Sequence, residues 1–281
     1  MTQGPYYASG EYIRRNLIED QEGVEMIIDL QVIDMATCEP VVNSMIDFWR
    51  TSSSPFPTQI PTQNHPSNIP PPDCNATGVY SGVVASGNGD ITDTSNINAT
   101  FLRGLQPTQY DGVAQFTTVF PGHYTGRAPH IHVLAHFNGS ILANSTYGGG
   151  TASHVGQIFF DQDLISQVDT VSPYSENTQP LTTNAEDSIF SEEAATSDPV
   201  VEYSLIGDTI ADGIFAWVSF GVDLTQQLTV SPASTLTENG GVANANSGFG
   251  GGGGPGGNST GGAPPSGAIP SGVAPSGVAR L

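Results

Sequence analysis

Between residues 24 and 33 apolar side chains occupy every even position, while Glu25, Asp29 and Gln31 stand on odd ones. A period of two sends alternate side chains to opposite faces of an extended chain, so this stretch predicts a half-buried β-strand. Comparable β-branched and aromatic runs recur at 41–49, 75–84, 113–120, 130–137, 155–160, 200–206 and 214–222, divided by Gly, Pro, Asn or Asp. Helical patterning is confined to short stretches at 163–168 and around Glu192. Many short strands with frequent turn residues predict an all-β protein, a β-sandwich with a few short helices.

Two segments break the pattern. Residues 238–281 are mostly Gly, Pro, Ser, Ala and Asn, with a glycine run at 250–254 and Pro-Ser-Gly recurring from Pro265, Pro270 and Pro275. Such a composition buries too little apolar surface to offset its ordering entropy, which predicts a disordered tail after a domain spanning 1–237. The second segment, 51–72, carries prolines at 55, 57, 61, 66, 70, 71 and 72, which forbid helix and discourage ladder pairing.

Charge narrows the function. The 281-residue chain has 27 acidic side chains against 6 basic ones, a formal net charge of −21, and every basic residue is an arginine. Nothing here could neutralise a row of phosphates, which excludes a nucleic-acid partner, and the missing lysines exclude Schiff-base and Walker-type chemistry. No apolar run is long enough to predict a membrane span. The acidity, together with N-glycosylation sequons at Asn75, Asn98, Asn138, Asn144 and Asn258, predicts a secreted glycoprotein. A secreted protein needs a signal peptide, and Met1 runs straight into GPYY, so the expectation is that one is encoded upstream.

The chemistry gathers in FPGHYTGRAPHIHVLAH, residues 120–136, which holds four of the six histidines. His130 and His132, two apart on a predicted strand, project from one face. An HxH pair alone reads more readily as a surface strand that happens to carry histidines; the density of Tyr124 and Arg127 beside it shifts the balance. A cupin would need a glutamate shortly after HxH, and none occurs between His132 and Glu176. A zinc site would recruit His136, which lies roughly 13 Å farther along an extended strand. Tyrosinates are hard anionic donors, so two tyrosines with two histidines favour ferric iron. His123 should point to the opposite side, while His65 and His154, in polar surroundings, read as solvent histidines.

GPYY at 4–7, ATGVYSG at 76–82, FLRG at 101–104 and DGVAQFTTVFPGHYTGRAPHIH at 111–132 occur in one order. Together they resemble the intradiol ring-cleavage dioxygenases, specifically their secreted fungal branch, over residues 4 to about 223. The resemblance implies non-haem Fe(III) held by Tyr80, Tyr124, His130 and His132. It places the active-site arginine at Arg127 and an active-site glutamine at Gln157, and it sets Tyr6 and Tyr7 beside the substrate cleft. It implies cleavage of a catechol with O2 to a cis,cis-muconate-type diacid, with Tyr124 taking a substrate proton while Tyr80 stays bound. Arg127 and Gln157 would then stabilise the charge that develops on the ring. The helical dimerisation segment of the bacterial catechol enzymes has no counterpart, so no dimer is implied. The competing reading is a transthyretin-like binding module, the same sandwich without chemistry.

Two expectations concern connectivity. Strands 24–34 and 41–49 are read as a hairpin with Cys38 at its turn and Cys74 beyond its far end. A ten-residue strand spans about 33 Å, far beyond the ~5.5 Å Cα separation of a disulfide, so the two cysteines should not be bonded to each other. Export would then give Cys38 a partner in the upstream segment. The insertion at 50–73 interrupts the strand carrying Tyr80, which the family runs almost directly on from Trp49. A retained intron accounts for it: codons CGT at Arg50 and CCA at Pro72 would supply GT and AG boundaries. Splicing would then leave one histidine between Trp49 and Cys74. The expectation is that the active protein lacks this segment, and sequencing the transcript checks it.

Overall fold

The computed structural model describes residues 4, 6–50 and 97–244. Along the chain these form β1 (Ala8–Ser9), β2 (Glu25–Asp34), β3 (Met45–Arg50), β4 (Arg103–Pro107), β5 (Val113–Val119) and β6 (His130–Phe137). They continue with β7 (Ser140–Ile141), β8 (Tyr147–Gly148), β9 (Thr151–Phe159), α1 (Gln162–Val168) and α2 (Ser188–Ala194). The last are β10 (Glu202–Leu205), β11 (Ile214–Val222), β12 (Ser234–Thr237) and β13 (Gly240–Ala243).

Two four-stranded sheets, ordered β10-β11-β2-β5 and β4-β3-β6-β9, make the sandwich. The alternation read in the sequence explains it directly. Met26, Ile28, Leu30 and Val32 of β2 are fully buried, and they enter one core with Ile46 and Phe48 of β3 and Ile131, Val133 and Ala135 of β6. Both helices open on an aspartate that accepts from the first free backbone N–H groups: Asp161 for α1 and Asp187 for α2. Phe48 lies at the centre of the core, its ring 4.7 Å from Phe116 of the opposite sheet. Phe48→Ala will destabilise the fold by about 3–5 kcal/mol, read as a lower urea midpoint at unchanged slope.

Three expectations are corrected here. The hairpin of 24–34 with 41–49 closes only locally, through the Ile33–Pro40 bridge and the Val41 N–H donating to Val32 O. The chain then crosses over, and β2 and β3 lie in opposite sheets, β2 pairing with β5 and β11. Pleat periodicity fixes which face of a strand is buried and is silent about which sheet it joins. Second, the ordered chain passes residue 237: Gly240–Ala243 pairs antiparallel with Ser234–Thr237, and β12 in turn pairs with β1. Backbone ladder bonds hold these glycines where side chains could not. Third, His154 is a strand residue of β9, not a solvent histidine; its ring stacks on Phe220 at 4.7 Å, and burial lowers its pKa to about 4.

The His154 shift has a consequence for acid stability. An unfolded histidine titrates near 6.5, so this group's contribution is complete above that pH and is lost as pH falls towards 4. His154→Phe will flatten the fall in melting temperature between pH 7 and pH 5. A variant whose melting temperature falls as steeply as the wild type's would contradict this.

Residues 51–73 of the insertion, with His65, and Cys74, Tyr80 and the tail beyond residue 244 lie outside the described residues. Arg50, at the edge of that gap, is buried and donates Nε to Thr118 Oγ1 and Nη1 to the Phe120 carbonyl. Cys38 is exposed and free. Among the described residues no helix is long and apolar enough to cross a membrane.

Candidate metal centre

The sheet β4-β3-β6-β9 turns one face to the sandwich core and carries the chemistry on the other. Register decides which residues meet there. On β6, His132 lies directly opposite Trp49 of β3 and Gln157 of β9, and opposed residues in antiparallel pairs share a face. His130, His132 and His136 follow from the period of two. This outer face is covered rather than solvated, with Tyr7, Leu228 and Val230 packing over Trp49, Leu134, Ala152 and Val155.

His130 and His132 converge at their Nε2 atoms, 3.2 Å apart. Two nitrogens each about 2.1 Å from one ion, at cis or tetrahedral angles, stand roughly 3.0–3.4 Å apart, so the pair has the spacing of two ligands on one metal. The tautomer also fits. His130 Nδ1 lies 2.7 Å from the Ala128 carbonyl and donates to it, which leaves the Nε2 lone pair free. Burial, reinforced by the Arg127 charge, lowers the His130 pKa to about 3, so the ring is neutral, the form a ligand needs. In the metal-free chain the same spacing is a hydrogen bond from His132 Nε2 to His130 Nε2.

The His132 ring is held from two sides. Trp49 stacks on it with centroids 4.9 Å apart and planes 2° from parallel. Gly4 presses against its other edge; a Cβ built there would lie 2.5 Å from Cε1, and its φ of +76° is one that glycine adopts freely. The GPYY segment therefore borders the histidine pair through Gly4, while the Tyr7 ring packs beyond it, tilted 40° against Trp49 at 5.6 Å. Behind Trp49 lies the buried Arg103, which pairs with Glu11 at 2.9 Å and donates to the Tyr6 carbonyl at 2.6 Å.

Tyr124 is brought to the same place: its ring centroid lies 6.0 Å from that of His130, edge-on. Arg127 donates Nη2 to Gln157 Oε1 at 2.5 Å and Nε to Asp187 Oδ2 at 2.9 Å. In the sequence the nearest acid upstream of Arg127 is Asp111. The structure supplies one from sixty positions downstream. Asp187 is fully buried; despite that burial, Arg127 and the N–H donors around it hold its carboxylate below the ordinary range. It accepts from the Ala128 N–H and caps α2 with its other oxygen, so one side chain ties the HxH approach to a helix start. An Asp before Ser-Ile-Phe is a legible N-cap, but its grip on Arg127 has no local signature.

Of the six predicted site residues, five come together: Tyr124, Arg127, His130, His132 and Gln157. Tyr80 lies outside the described residues. His123 turns away, as expected, towards Asp169 at 3.1 Å and the Gln179 carbonyl at 3.0 Å. Among the described residues no group of three or more His, Cys, Asp or Glu is arranged to hold a metal ion. Two converging imidazoles beside the Tyr124 ring are a donor set that would suit ferric iron.

No family model matches the chain, and no curated protein matches its sequence. Solved structures do. An intradiol ring-cleavage dioxygenase from Tetranychus urticae aligns with a TM-score of 0.62 and 26% identity, covering 81% of this chain and 94% of that one. A second dioxygenase structure aligns with a TM-score of 0.59 and 24% identity, over the same shares of each chain. The chain thus resembles the intradiol ring-cleavage dioxygenases in fold as well as in motif order.

Proposed function

We propose that this chain is a non-haem Fe(III)-dependent intradiol dioxygenase that opens catechol-type rings with O2 to cis,cis-muconate-type diacids. The observation that carries the reading is the convergence of His130 and His132 Nε2 at 3.2 Å beside Tyr124 and the Arg127–Gln157 pair. The likeness to the mite dioxygenase supports it.

His130 and His132 would bind the metal through Nε2, and Tyr124 and Tyr80 through their phenolate oxygens. When bound, ferric iron supplies Lewis-acid polarisation of the catechol hydroxyls. The protein's own groups do the rest. Tyr124 Oη accepts a proton from a catechol hydroxyl as the substrate enters. Arg127, 19% exposed and anchored on Asp187, presents a fixed cation to the charge that develops on the ring. Gln157 fixes the angle of that guanidinium and completes a polar wall. Trp49 and Gly4 pack around the His132 ring, with Tyr7 against Trp49, and exclude water from that side of the centre.

The acidic charge and the exposed sequon residues Asn98, Asn138 and Asn144 support export. Reconstitution tests the catalytic reading. Ferric iron added to the metal-free chain should give a broad visible tyrosinate band, and catechol should then be consumed with one O2 per ring. A chain that stays colourless and takes up no O2 on catechol would defeat it.

A further inference from the structure

Farther along the same face lies a second constellation that the metal chemistry does not use. A cavity of about 240 Å³ opens there, lined by Tyr7, Asp47, His136, Tyr147 and Val230, with the backbone of Gly148 to Gly150 on one side. Tyr7, which the resemblance set beside the substrate cleft, lines it, whereas Tyr124, Arg127, His130, His132 and Gln157 do not. The rings of His132, Trp49, Tyr7 and His136 form a chain of contacts at 4.9, 5.6 and 6.2 Å, so three ring contacts separate the cavity from the histidine pair.

The space suits a ring rather than a water. A water fills about 30 Å³, whereas an apolar cavity of about 150 Å³ already admits benzene. Tyr7, His136 and Tyr147 supply aromatic faces, the last two with centroids 6.0 Å apart. Two polar atoms of its lining residues are left over, His136 Nε2 and Asp47 Oδ1. His136 is 5% exposed, and its Nε2 has no hydrogen-bond partner; the nearest carboxyl oxygen, Asp47 Oδ2, stands at 3.4 Å. A group seated in the cavity could satisfy both.

The surrounding charges say which group. Asp47 lies close enough to the buried Glu11 for the two carboxyls to raise each other's energy when charged, and Glu11 pairs with Arg103. Burial raises the Asp47 carboxyl to about 7 and Glu11 well above its ordinary value, and burial lowers His136 to about 4. One guanidinium serves two buried carboxyls, so the cluster offers no unpaired positive charge to the cavity. An anion would meet the carboxyl pair, and a cation would meet Arg103. A hydroxyl both donates and accepts, so it matches His136 Nε2 in either neutral tautomer together with the Asp47 carboxyl.

We propose that this cavity is a second ligand site, for a neutral single-ring phenol whose hydroxyl bridges His136 Nε2 and the Asp47 carboxyl group. The proposal concerns the metal-free chain as much as the ferric one, so its fate is separate from that of the iron reading. Resorcinol is the probe, because its meta hydroxyls cannot chelate one ion. Isothermal titration of the full chain should show one resorcinol bound in the millimolar range or tighter, equally with and without iron. Val230→Trp, which fills the cavity from its rim, and His136→Leu, which removes the nitrogen, should each weaken binding at least tenfold while thermal unfolding stays cooperative. In the wild-type chain, NOEs should connect resorcinol ring protons to the His136 imidazole, a readout that needs no variant. Absence of saturable binding to the metal-free chain, binding that survives Val230→Trp, or saturable binding without those NOEs would each overturn the proposal.

Discussion

A His132→Ala chain reconstituted with ferric iron will show no tyrosinate charge-transfer band, and its ring opening will fall to background. His132 Nε2 sits 3.2 Å from His130 Nε2, and no other described histidine, cysteine or acid approaches closely enough to replace it. Its ring is also clamped between Trp49 and Gly4, so alanine leaves a gap that no neighbouring donor can swing into. The side chain lies outside the sandwich core that Phe48 and Ile131 build, so the variant should still fold. His154→Phe, which removes a histidine on the other face of the same sheet, serves as the control and should keep the colour. Metal content, the visible spectrum and O2 uptake measured on both chains check the expectation. Stoichiometric, coloured iron in His132→Ala would show that the metal is held elsewhere.

Arg127→Leu should separate binding from chemistry. The guanidinium lies between Gln157 and Asp187, close enough to His130 to depress its pKa, yet it offers no lone pair to a metal. Iron and colour should therefore remain. A fixed cation aimed at developing charge in a poorly hydrated pocket is worth about 10²–10³ in kcat, and that is the expected loss. Asp187 acts one step back, as a positioning residue. Asparagine at 187 still caps α2 but no longer neutralises Arg127, so Asp187→Asn should lower kcat by about 10–100-fold with KM, iron content and melting temperature little changed. A purely structural role would instead move the melting temperature and leave kcat per bound iron intact. Arg127→Leu with wild-type kcat would remove this arginine from the mechanism.

The fold and the centre were unequally legible. Residues 24–33 and 214–222 announced their strands because burial on one face imposes a period of two, and β2 buries its even positions as the pattern required. His130 and His132 were placed on one face by the same geometry before any contact was known. The strand Arg103–Pro107 escaped notice, since Arg-Gly-Leu-Gln-Pro has neither alternation nor branched residues; it is a strand because β3 offers it a ladder. His154 looked like a solvent histidine because its neighbours are Ser153 and Thr151, and only the opposite sheet, through Phe220, covers a face of its ring.

The sequence by itself determined the alternation of each strand, the order of the motifs, the absence of lysine and the pairing of two histidines with tyrosine and arginine. Those are properties of composition and of spacings within a few residues, over which backbone geometry alone fixes direction. Tertiary structure decided that β2 and β3 part into opposite sheets and that Gly4 buttresses His132. It also decided that Asp187 holds Arg127 from sixty residues away and that Tyr7, Asp47, His136 and Tyr147 line one cavity. Each of these is a contact between residues distant in the chain, chosen by how the two sheets pack and what covers their outer face. No local preference encodes such a choice, because the free energy that selects it belongs to the assembled core.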